Sequence, residues 1–266
     1  MQVTDTREQD CARLVAAVRE AGALALTSFG GGNLKSWIKH GDSPVSEADI
    51  AANELLHARL TGGGDGWLSE ESENDPARLD KRRVWVVDPI DGTRAFIAGG
   101  TDWTVSAALV EDGRPTIATV FAPATDELFV AMLGCGATRN DEPITASAGT
   151  GIDGIRIGGP RRMMESVAAS HSDIEVVPRI RSLALRLVRV AQGTIDAAAT
   201  AGNSHDWDLA AADLLLHEAG GLLTSLDGKS LTYNQPNPVH GVLVAAGRER
   251  HPAFIELLRA QFPGTV

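Results

Sequence analysis

A run of four apolar residues that ends abruptly in an acid constrains this chain more than any other feature. Residues 84–87, Val-Trp-Val-Val, are β-branched or aromatic, which predicts a buried strand. Asp88 follows at once, and Pro89 keeps it out of the helical conformation. Asp91 comes three residues later, and Gly92 can take backbone angles that other residues avoid. We therefore expect a tight turn at the end of a buried strand that aims two carboxylates at one point.

Such a turn has a chemical consequence. Two close carboxylates without a neighbouring Lys or Arg repel each other, so the turn favours a hard cation with oxygen ligands, Mg²⁺ first. The backbone N–H groups of Gly92 and Thr93 suit a phosphate beside that cation. The simpler alternative is an ordinary Asp-Gly turn, because such turns are common.

Charge and cysteine content exclude several kinds of partner. The formal net charge of −11 argues against nucleic acid and against an anionic membrane surface. The two cysteines, Cys11 and Cys135, provide neither a disulfide framework nor a zinc pattern. No apolar run approaches the ~20 residues of a membrane span, and the first ten residues lack the apolar core of a signal peptide. We expect a cytoplasmic protein without a stable membrane association.

Strands predominate in the first half of the chain. We predict two helices and then consecutive strands, over residues 6–29, 46–60, 84–87, 104–110, 116–121 and 128–132. Strands joined by short turns favour an antiparallel meander. The tetrad Ser46-Glu47-Ala48-Asp49 fits a capping box, in which Asp49 simply caps the second helix.

Helices and strands alternate in the second half. We predict strands over 155–157, 195–198, 222–226 and 242–246 and helices over 179–192, 207–219 and 252–262. Alternation of this kind indicates α/β structure. The predicted fold class is therefore α/β, with an α+β first half over residues 1–146 and an α/β second half over residues 147–266.

Three acidic segments each adjoin an apolar element. They are Ser69-Glu70-Glu71, Asp88-x-x-Asp91 and Asp206-Trp207-Asp208. The dipole favours an acid in the first turn of a helix, so Asp208 alone is explained by capping. If the segments converge, however, their carboxylates need cations to offset the repulsion. Two metal ions about 3.5–4 Å apart can activate water and stabilise the leaving oxygen of a phosphoryl displacement.

Paired motifs in this chain resemble the inositol monophosphatase superfamily. They are Asp-Pro-Ile-Asp-Gly-Thr at 88–93, Trp-Asp-Leu-Ala-Ala at 207–211 and Glu-Ala-Gly-Gly at 218–221. Leu-Ser-Glu-Glu at 68–71 and the tail at 226–235 look most like the CysQ-type 3'(2'),5'-bisphosphate nucleotidases. The resemblance implies a layered αβαβα sandwich of the inositol monophosphatase/fructose-1,6-bisphosphatase type, homodimers, and inhibition by Li⁺.

The resemblance also implies roles for individual residues. Two or three Mg²⁺ ions would be held by Glu70, Asp88, the carbonyl of Ile90, Asp91 and Asp208. The attacking water would be oriented and activated by Thr93 and Asp49, with Glu70 assisting through a further metal. Substrate would be contacted by the amides of Gly92 and Thr93, by Asp208, and by Lys39 at the position of a family lysine near the active site.

The segment that sets substrate preference departs from the family pattern. Inositol-specific members carry a Glu seven residues before the Trp-Asp aspartate, where this chain has Ala201, and some CysQ-type members carry an Arg at the position of Thr200. Candidate contacts to a second phosphate, a ribose or a base are Arg94, Asn203, Ser204 and His205.

Three hypotheses follow from these residues. The first is a Mg²⁺-dependent phosphatase that converts 3'-phosphoadenosine 5'-phosphate to AMP, as in sulfate assimilation. The second is an inositol-1-monophosphatase or histidinol-phosphate phosphatase built on the same site. The third is a non-catalytic regulatory protein that binds metal or phosphate, which is disfavoured because every expected metal ligand is present.

Overall fold

The computed structural model describes residues 2–31, 34–39 and 43–262. The helices are α1 (Gln2–Leu26), α2 (Glu47–Leu60), α3 (Thr93–Ile97), α4 (Arg161–Ser170), α5 (Leu183–Ala191), α6 (Asp206–Glu218) and α7 (His251–Gln261). The strands of the first half are β1 (Ser36–Ile38), β2 (Pro44–Ser46), β3 (Gly66–Ser69), β4 (Arg83–Asp91), β5 (Thr104–Glu111), β6 (Arg114–Ala122), β7 (Glu127–Met132), β8 (Ala137–Arg139) and β9 (Glu142–Pro143). Those of the second half are β10 (Arg156–Gly158), β11 (Glu175–Val176), β12 (Ala197–Ala199), β13 (Ser204–His205), β14 (Gly221–Ser225), β15 (Val239–His240) and β16 (Leu243–Gly247).

Two large sheets organise these elements. The first has the order β3-β4-β5-β6-β7-β8-β9 and is antiparallel from β4 onward, which confirms the predicted meander. The pair β3–β4 is parallel, because a connection with a 3-10 turn at Pro76–Asp80 returns the chain to the starting edge. The second sheet has the order β11-β10-β12-β16-β14, and β10 is parallel to both its neighbours.

The strand β4 shows why the layers form. Trp85 and Val87 pack with α1 and α2 on one face, whereas Val84 and Val86 pack with α5 and α6 on the other. Successive strand residues face opposite sides, so an uninterrupted apolar run needs a cover on both faces. The other face of the second sheet packs against α4 and α7. The order is α1/α2, sheet, α5/α6, sheet, α4/α7, which confirms the layered αβαβα sandwich.

Several local predictions need correction. The strand expected to stop at Asp88 continues to Asp91 with a shift of register. The helix expected from Arg179 begins at Leu183, because the Ser182 hydroxyl caps it by accepting a hydrogen bond from the N–H of Leu185 at 2.9 Å. Neither α3 nor α4 was expected from the sequence. Over the described residues, no helix combines the length and the apolar character required to cross a membrane.

Candidate metal and phosphate site

An irregularity in β4 brings the two carboxylates of the central motif to one side. Residues three apart in a regular strand face opposite sides of a sheet. Here Asp88 pairs with Ser106 and Asp91 with Thr104, so three steps on β4 match two on β5. The extra residue acts as a bulge and turns Asp91 toward the cavity that Asp88 faces.

A third carboxylate joins them from the second half of the chain. Asp208 lies in the first turn of α6, where it accepts a hydrogen bond from the backbone N–H of His205 at 2.6 Å. One carboxylate oxygen each of Asp88, Asp91 and Asp208 lies within 4.8 Å of the others. The structure therefore brings together the two motifs predicted to form one metal centre.

Asp91 also connects the two halves. Its carboxylate accepts hydrogen bonds from the Ser182 hydroxyl at 2.6 Å, the Ala184 N–H at 2.6 Å and the Leu183 N–H at 3.1 Å. These donors form the N-terminus of α5, where a negative charge is favoured. The central motif is thus held against the start of a helix that lies 91 to 93 residues later in the chain.

The electrostatics of the three carboxylates fit a divalent cation. Burial, together with repulsion from Glu70 and from the other two aspartates, holds the pKa of Asp88 well above its ordinary value. Burial and the charge of Asp91 do the same to the pKa of Asp208. Burial also raises the pKa of Asp91, against the opposing effects of its hydrogen bonds and of the Arg186 charge. A cluster of carboxylate oxygens whose mutual repulsion raises their pKa values fits a hard metal ion such as Mg²⁺.

Glu70 lines the same cavity but is held differently. Lys39 Nζ lies 3.4 Å from Glu70 Oε1 and 2.6 Å from Glu71 Oε1. Burial raises the pKa of Glu70 to about 7, against the opposing effect of the Lys39 charge. Glu70 is not one of the three clustered carboxylates. The segment Glu70-Glu71 therefore places one acid on the cavity wall and pairs both acids with Lys39.

The two acids at the start of α6, Asp206 and Asp208, have different surroundings. Asp206 is fully buried and points away from the cavity, where it accepts hydrogen bonds from His240 Nε2 at 2.7 Å and the Asn234 N–H at 2.7 Å. Only Asp208 of this segment reaches the cavity.

Thr93 lies beside the three carboxylates and contacts Asp49. Its hydroxyl is 3.1 Å from Asp49 Oδ1 and 3.0 Å from the carbonyl oxygen of Ile90. Asp49 Oδ2 accepts from the N–H and the hydroxyl of Ser46, so the carboxylate is fixed at both oxygens. Burial raises the pKa of Asp49, and the hydrogen bonds from Ser46 and Thr93 oppose that rise. The predicted Thr93–Asp49 pair is present.

The cavity around these groups has a volume of about 200 Å³. Its lining residues are Ser43, Pro44, Glu70, Asp88, Asp91, Gly92, Thr93, Arg94, Arg179, Arg181 and Asp208. A neighbouring cavity of about 440 Å³ is lined by Lys39, Ser43, Glu70, His205, Trp207 and Asp208. Within it the rings of His205 and Trp207 stack, with centroids 4.4 Å apart and planes 7° from parallel.

Two of the predicted substrate contacts lie elsewhere. Asn203 and Ser204 are absent from the lining of both cavities, and the Asn203 N–H and the strand pair at Ser204 hold this segment to His240. Arg179, Arg181 and Trp207 do line the cavities, although no role was expected for them from the sequence. The sequence contains one signal for their position, because Ser182 as a helix cap places Arg179 and Arg181 in the loop before α5. No local pattern indicates that this loop lies at the carboxylate cavity.

Comparisons with known proteins show the family of this chain. A model of the inositol monophosphatase family matches residues 6–261. The histidinol-phosphatase of Mycobacterium tuberculosis is 33% identical over 273 residues, covering 92% of this chain and 96% of that protein. The 3'-phosphoadenosine 5'-phosphate phosphatase of Mycobacterium leprae is 35% identical over 234 residues, covering 79% and 80%. The inositol-1-monophosphatase of Mesorhizobium japonicum is 32% identical over 227 residues, covering 81% and 85%.

Solved structures show the same fold. The extragenic suppressor protein suhB from Bartonella henselae superposes with a TM-score of 0.80 at 29% identity, covering 95% of this chain and 98% of that one. CysQ from Bacteroides thetaiotaomicron superposes with a TM-score of 0.77 at 22% identity, covering 91% and 98%. The second likeness concerns the fold alone.

Proposed function

The chain belongs to the inositol monophosphatase family, and we propose that within it the protein removes the 3'-phosphate of 3'(2'),5'-bisphosphate nucleotides, converting 3'-phosphoadenosine 5'-phosphate to AMP. Membership makes it a metal-dependent phosphoric monoester hydrolase that acts on small phosphorylated compounds. The substrate, the Mg²⁺ ions and the individual residue roles are the proposal.

One observation carries the choice of a nucleotide. The stacked rings of His205 and Trp207 border a cavity of about 440 Å³ that shares Asp208 with the carboxylate site. A planar base can stack on such a surface, and stacking of bases on aromatic side chains is worth roughly 1–3 kcal/mol per base. The hydroxyl groups of inositol have no acidic partner at the family position, which is Ala201 here.

The donor set supports two or three Mg²⁺ ions. We propose Asp88, Asp91, Asp208, Glu70 and the carbonyl of Ile90 as the ligands. When bound, the ions would lower the pKa of a water, offset the negative charge of the phosphate and stabilise the leaving oxygen.

The protein's own part in the chemistry is to position a water and take its proton. In our proposal Thr93 donates its hydroxyl hydrogen to Asp49 Oδ1, which leaves lone pairs on Oγ1 to accept a proton from the attacking water. The contact of 3.1 Å allows the Thr93 proton to pass to Asp49 in the same step. The raised pKa of Asp49 suits a carboxylate that receives a proton transiently.

The phosphate and the rest of the substrate need partners as well. We assign the phosphate to the amides of Gly92 and Thr93 at the start of α3, and a second phosphate to Arg94, which lines the same cavity. His205 would meet the base, and Lys39 would hold Glu70 in place by its ion pair.

Phosphate release from a substrate panel tests the proposal. The panel contains 3'-phosphoadenosine 5'-phosphate, inositol 1-phosphate, histidinol phosphate and fructose 1,6-bisphosphate, each assayed with Mg²⁺ and with EDTA. We expect kcat/KM for the nucleotide to exceed that for inositol 1-phosphate by at least about tenfold, the equivalent of one interaction of ~1.4 kcal/mol. An equal or reversed ratio would refute the nucleotidase assignment.

Histidinol phosphate is the second candidate. The similarity to the histidinol-phosphatase of Mycobacterium tuberculosis extends over 96% of that protein's length. The imidazole ring of histidinol phosphate could also stack on His205. The same panel separates the two, because histidinol phosphate would then give the highest kcat/KM.

Three further properties are also proposals, of which the first two rest on the resemblance and the third on the composition of the sequence. They are inhibition by millimolar Li⁺, a homodimeric state and a cytoplasmic location. Inhibition curves and the mass in solution test the first two directly.

A further inference from the structure

Two arginines of the second half lie at the carboxylate cavity. Arg179 and Arg181 precede α5 and line the same 200 Å³ space as Asp88 and Thr93. Both residues are exposed, and over the described part of the chain neither guanidinium forms an ion pair within 4.0 Å, although the chain has 35 acidic residues. Unpaired cations that share a cavity in an acidic protein indicate an anionic ligand.

A neighbouring arginine shows how crowded the positive charge is. Arg186 is half-buried on α5, and desolvation together with the charge of Arg179 lowers its pKa. The carboxylate of Asp91 acts in the opposite direction on this pKa. The fold therefore brings the positive charges of Arg179 and Arg186 close together beside the carboxylate cavity.

The arginine segment is held firmly against the phosphate turn. Asp102 accepts hydrogen bonds from the Arg181 N–H at 2.6 Å and, through its carbonyl, from the Ser182 N–H at 3.2 Å. A Cβ on Gly92 would lie 2.9 Å from the Asp102 carbonyl oxygen and 3.3 Å from Ser182 Cβ, so the two segments touch with no spare room. Asp91 binds the Ser182 hydroxyl from the other side. The backbone that carries Arg181 is thus fixed to the turn that carries Gly92 and Thr93.

Arg181 and Arg94 lie at the boundary between the carboxylate cavity and an outer cavity. A space of about 510 Å³ is lined by Ile38, Pro44, Arg94, Ile97, Ala98 and Arg181. It shares Pro44, Arg94 and Arg181 with the carboxylate cavity, and it shares no lining residue with the cavity that contains the His205–Trp207 stack. A leaving group that extends from the reacting phosphate into this outer space passes Arg94 and Arg181.

We propose that Arg179 and Arg181, together with Arg94, form a second anion subsite that binds a phosphate carried by the leaving group. The inference rests on the proposed function for the reacting phosphate and adds where a second phosphate is held. Guanidinium groups match phosphate oxygens with paired hydrogen bonds, which makes them suited to this task. The substrate class is then a bisphosphate whose two phosphates are separated by a sugar, with the base placed on the opposite, aromatic side.

Matched substrates isolate the second phosphate. 3'-phosphoadenosine 5'-phosphate and adenosine 3'-monophosphate share the same scissile group and differ only in the 5'-phosphate. We expect the wild-type protein to prefer the former in kcat/KM by at least about tenfold, and Arg181→Gln or Arg179→Gln to cut that preference by about fivefold to tenfold, as loss of a charged hydrogen bond does. The double variant should remove the preference, and Arg181→Lys should restore part of it by keeping the charge.

A control and a second substrate pair separate the possible failures. Arg162→Gln removes an exposed arginine on α4, in a different layer, and should leave the preference as in the wild type. Fructose 1,6-bisphosphate and fructose 1-phosphate provide a pair without a base.

The outcomes distinguish the subsite from the nucleotidase function. If both nucleotides are hydrolysed and the double variant Arg179→Gln/Arg181→Gln keeps the wild-type preference, the subsite is refuted while the nucleotidase function stands. If the nucleotides are poor substrates but the preference within the sugar pair disappears in the double variant, the subsite stands and the nucleotidase function falls. Absence of any preference in both pairs refutes the subsite.

Discussion

At the N-termini of α2 and α6 the same local arrangement recurs, in which the carboxylate of the third helical residue accepts a hydrogen bond from the N–H of the residue before the helix. The distance is 2.8 Å from Ser46 N to Asp49 Oδ2 and 2.6 Å from His205 N to Asp208 Oδ2. The capping residues have similar extended conformations, with φ/ψ of −122°/167° at Ser46 and −103°/166° at His205. By local criteria the two acids are equivalent helix caps.

What lies opposite each cap differs. Asp49 is fully buried and meets the hydroxyl of Thr93. Asp208 meets two further carboxylates, those of Asp88 and Asp91. A carboxylate that faces a hydroxyl is suited to accept a proton, whereas a carboxylate that faces two others is suited to share a cation. The comparison shows that a cap sets the direction of a carboxylate and that the opposing segment sets its chemistry.

The largest effect is expected from Asp208→Asn. Asparagine keeps the cap, since its carbonyl oxygen accepts the His205 N–H, but it removes one of the three clustered charges. We expect kcat/KM to fall by more than about 10³-fold, because the charge that binds the cation is worth several kcal/mol to the transition state. Steady-state assays across Mg²⁺ concentration measure it, and the melting temperature in EDTA should be at or above that of the wild type because a mutual repulsion has been relieved. Near-normal activity would remove Asp208 from the metal centre.

A smaller effect is expected on the α2 side. Thr93→Ala should lower kcat by about 10²-fold with a lesser change in KM, in line with general-base contributions. Asp49→Asn should act through the same proton path, so the double variant should be little worse than either single one. Thr93→Ser keeps the hydroxyl and serves as the control. A raised KM with intact kcat in Thr93→Ala would make Thr93 a binding residue only.

The smallest effect concerns a third carboxylate on α6, which faces away from the site. Asp213 accepts a hydrogen bond from the Tyr233 hydroxyl at 2.8 Å, and burial raises its pKa to about 6. The pKa of Asp213 is higher in the folded state than its ordinary value of 3.8. Below pH 3.8 the carboxyl is protonated in both the folded and the unfolded state, so its burial does not lower the free energy of unfolding. As the pH rises to about 6, the unfolded state releases the proton first, and the free energy of unfolding falls.

Asp213→Asn should therefore stabilise the protein at pH 8 by about 2 kcal/mol and give no gain near pH 4, because the rise of the pKa from 3.8 to about 6 limits the electrostatic cost to about 3 kcal/mol. Denaturant unfolding at the two pH values measures this difference. Activity with Mg²⁺ should stay near that of the wild type, which makes the variant a control for Asp208→Asn on the same helix. A gain of equal size at both pH values would show that the effect is not electrostatic.

Local sequence was informative where the physical cause is local. The apolar run before Asp88 predicted a strand buried on both faces, and Ser46 to Asp49 predicted a capping box, because side-chain periodicity and capping depend on residues a few positions apart. The paired motifs at 88–93 and 207–211 were enough to indicate the family, which the match over residues 6–261 bears out. The division at residues 146 and 147 stays a proposal.

Only the tertiary structure decided which groups meet. The sequence could not show that Asp91 caps α5, that Lys39 pairs with Glu70 and Glu71, or that Arg179 and Arg181 line the carboxylate cavity. Each of these contacts joins segments more than 30 residues apart, and their choice depends on how the layers pack rather than on any periodicity. The sequence determined the kinds of group that are available, and the packing of α5 and α6 between two sheets determined their arrangement, because that layer alone brings the ends of β4, α5 and α6 to one point.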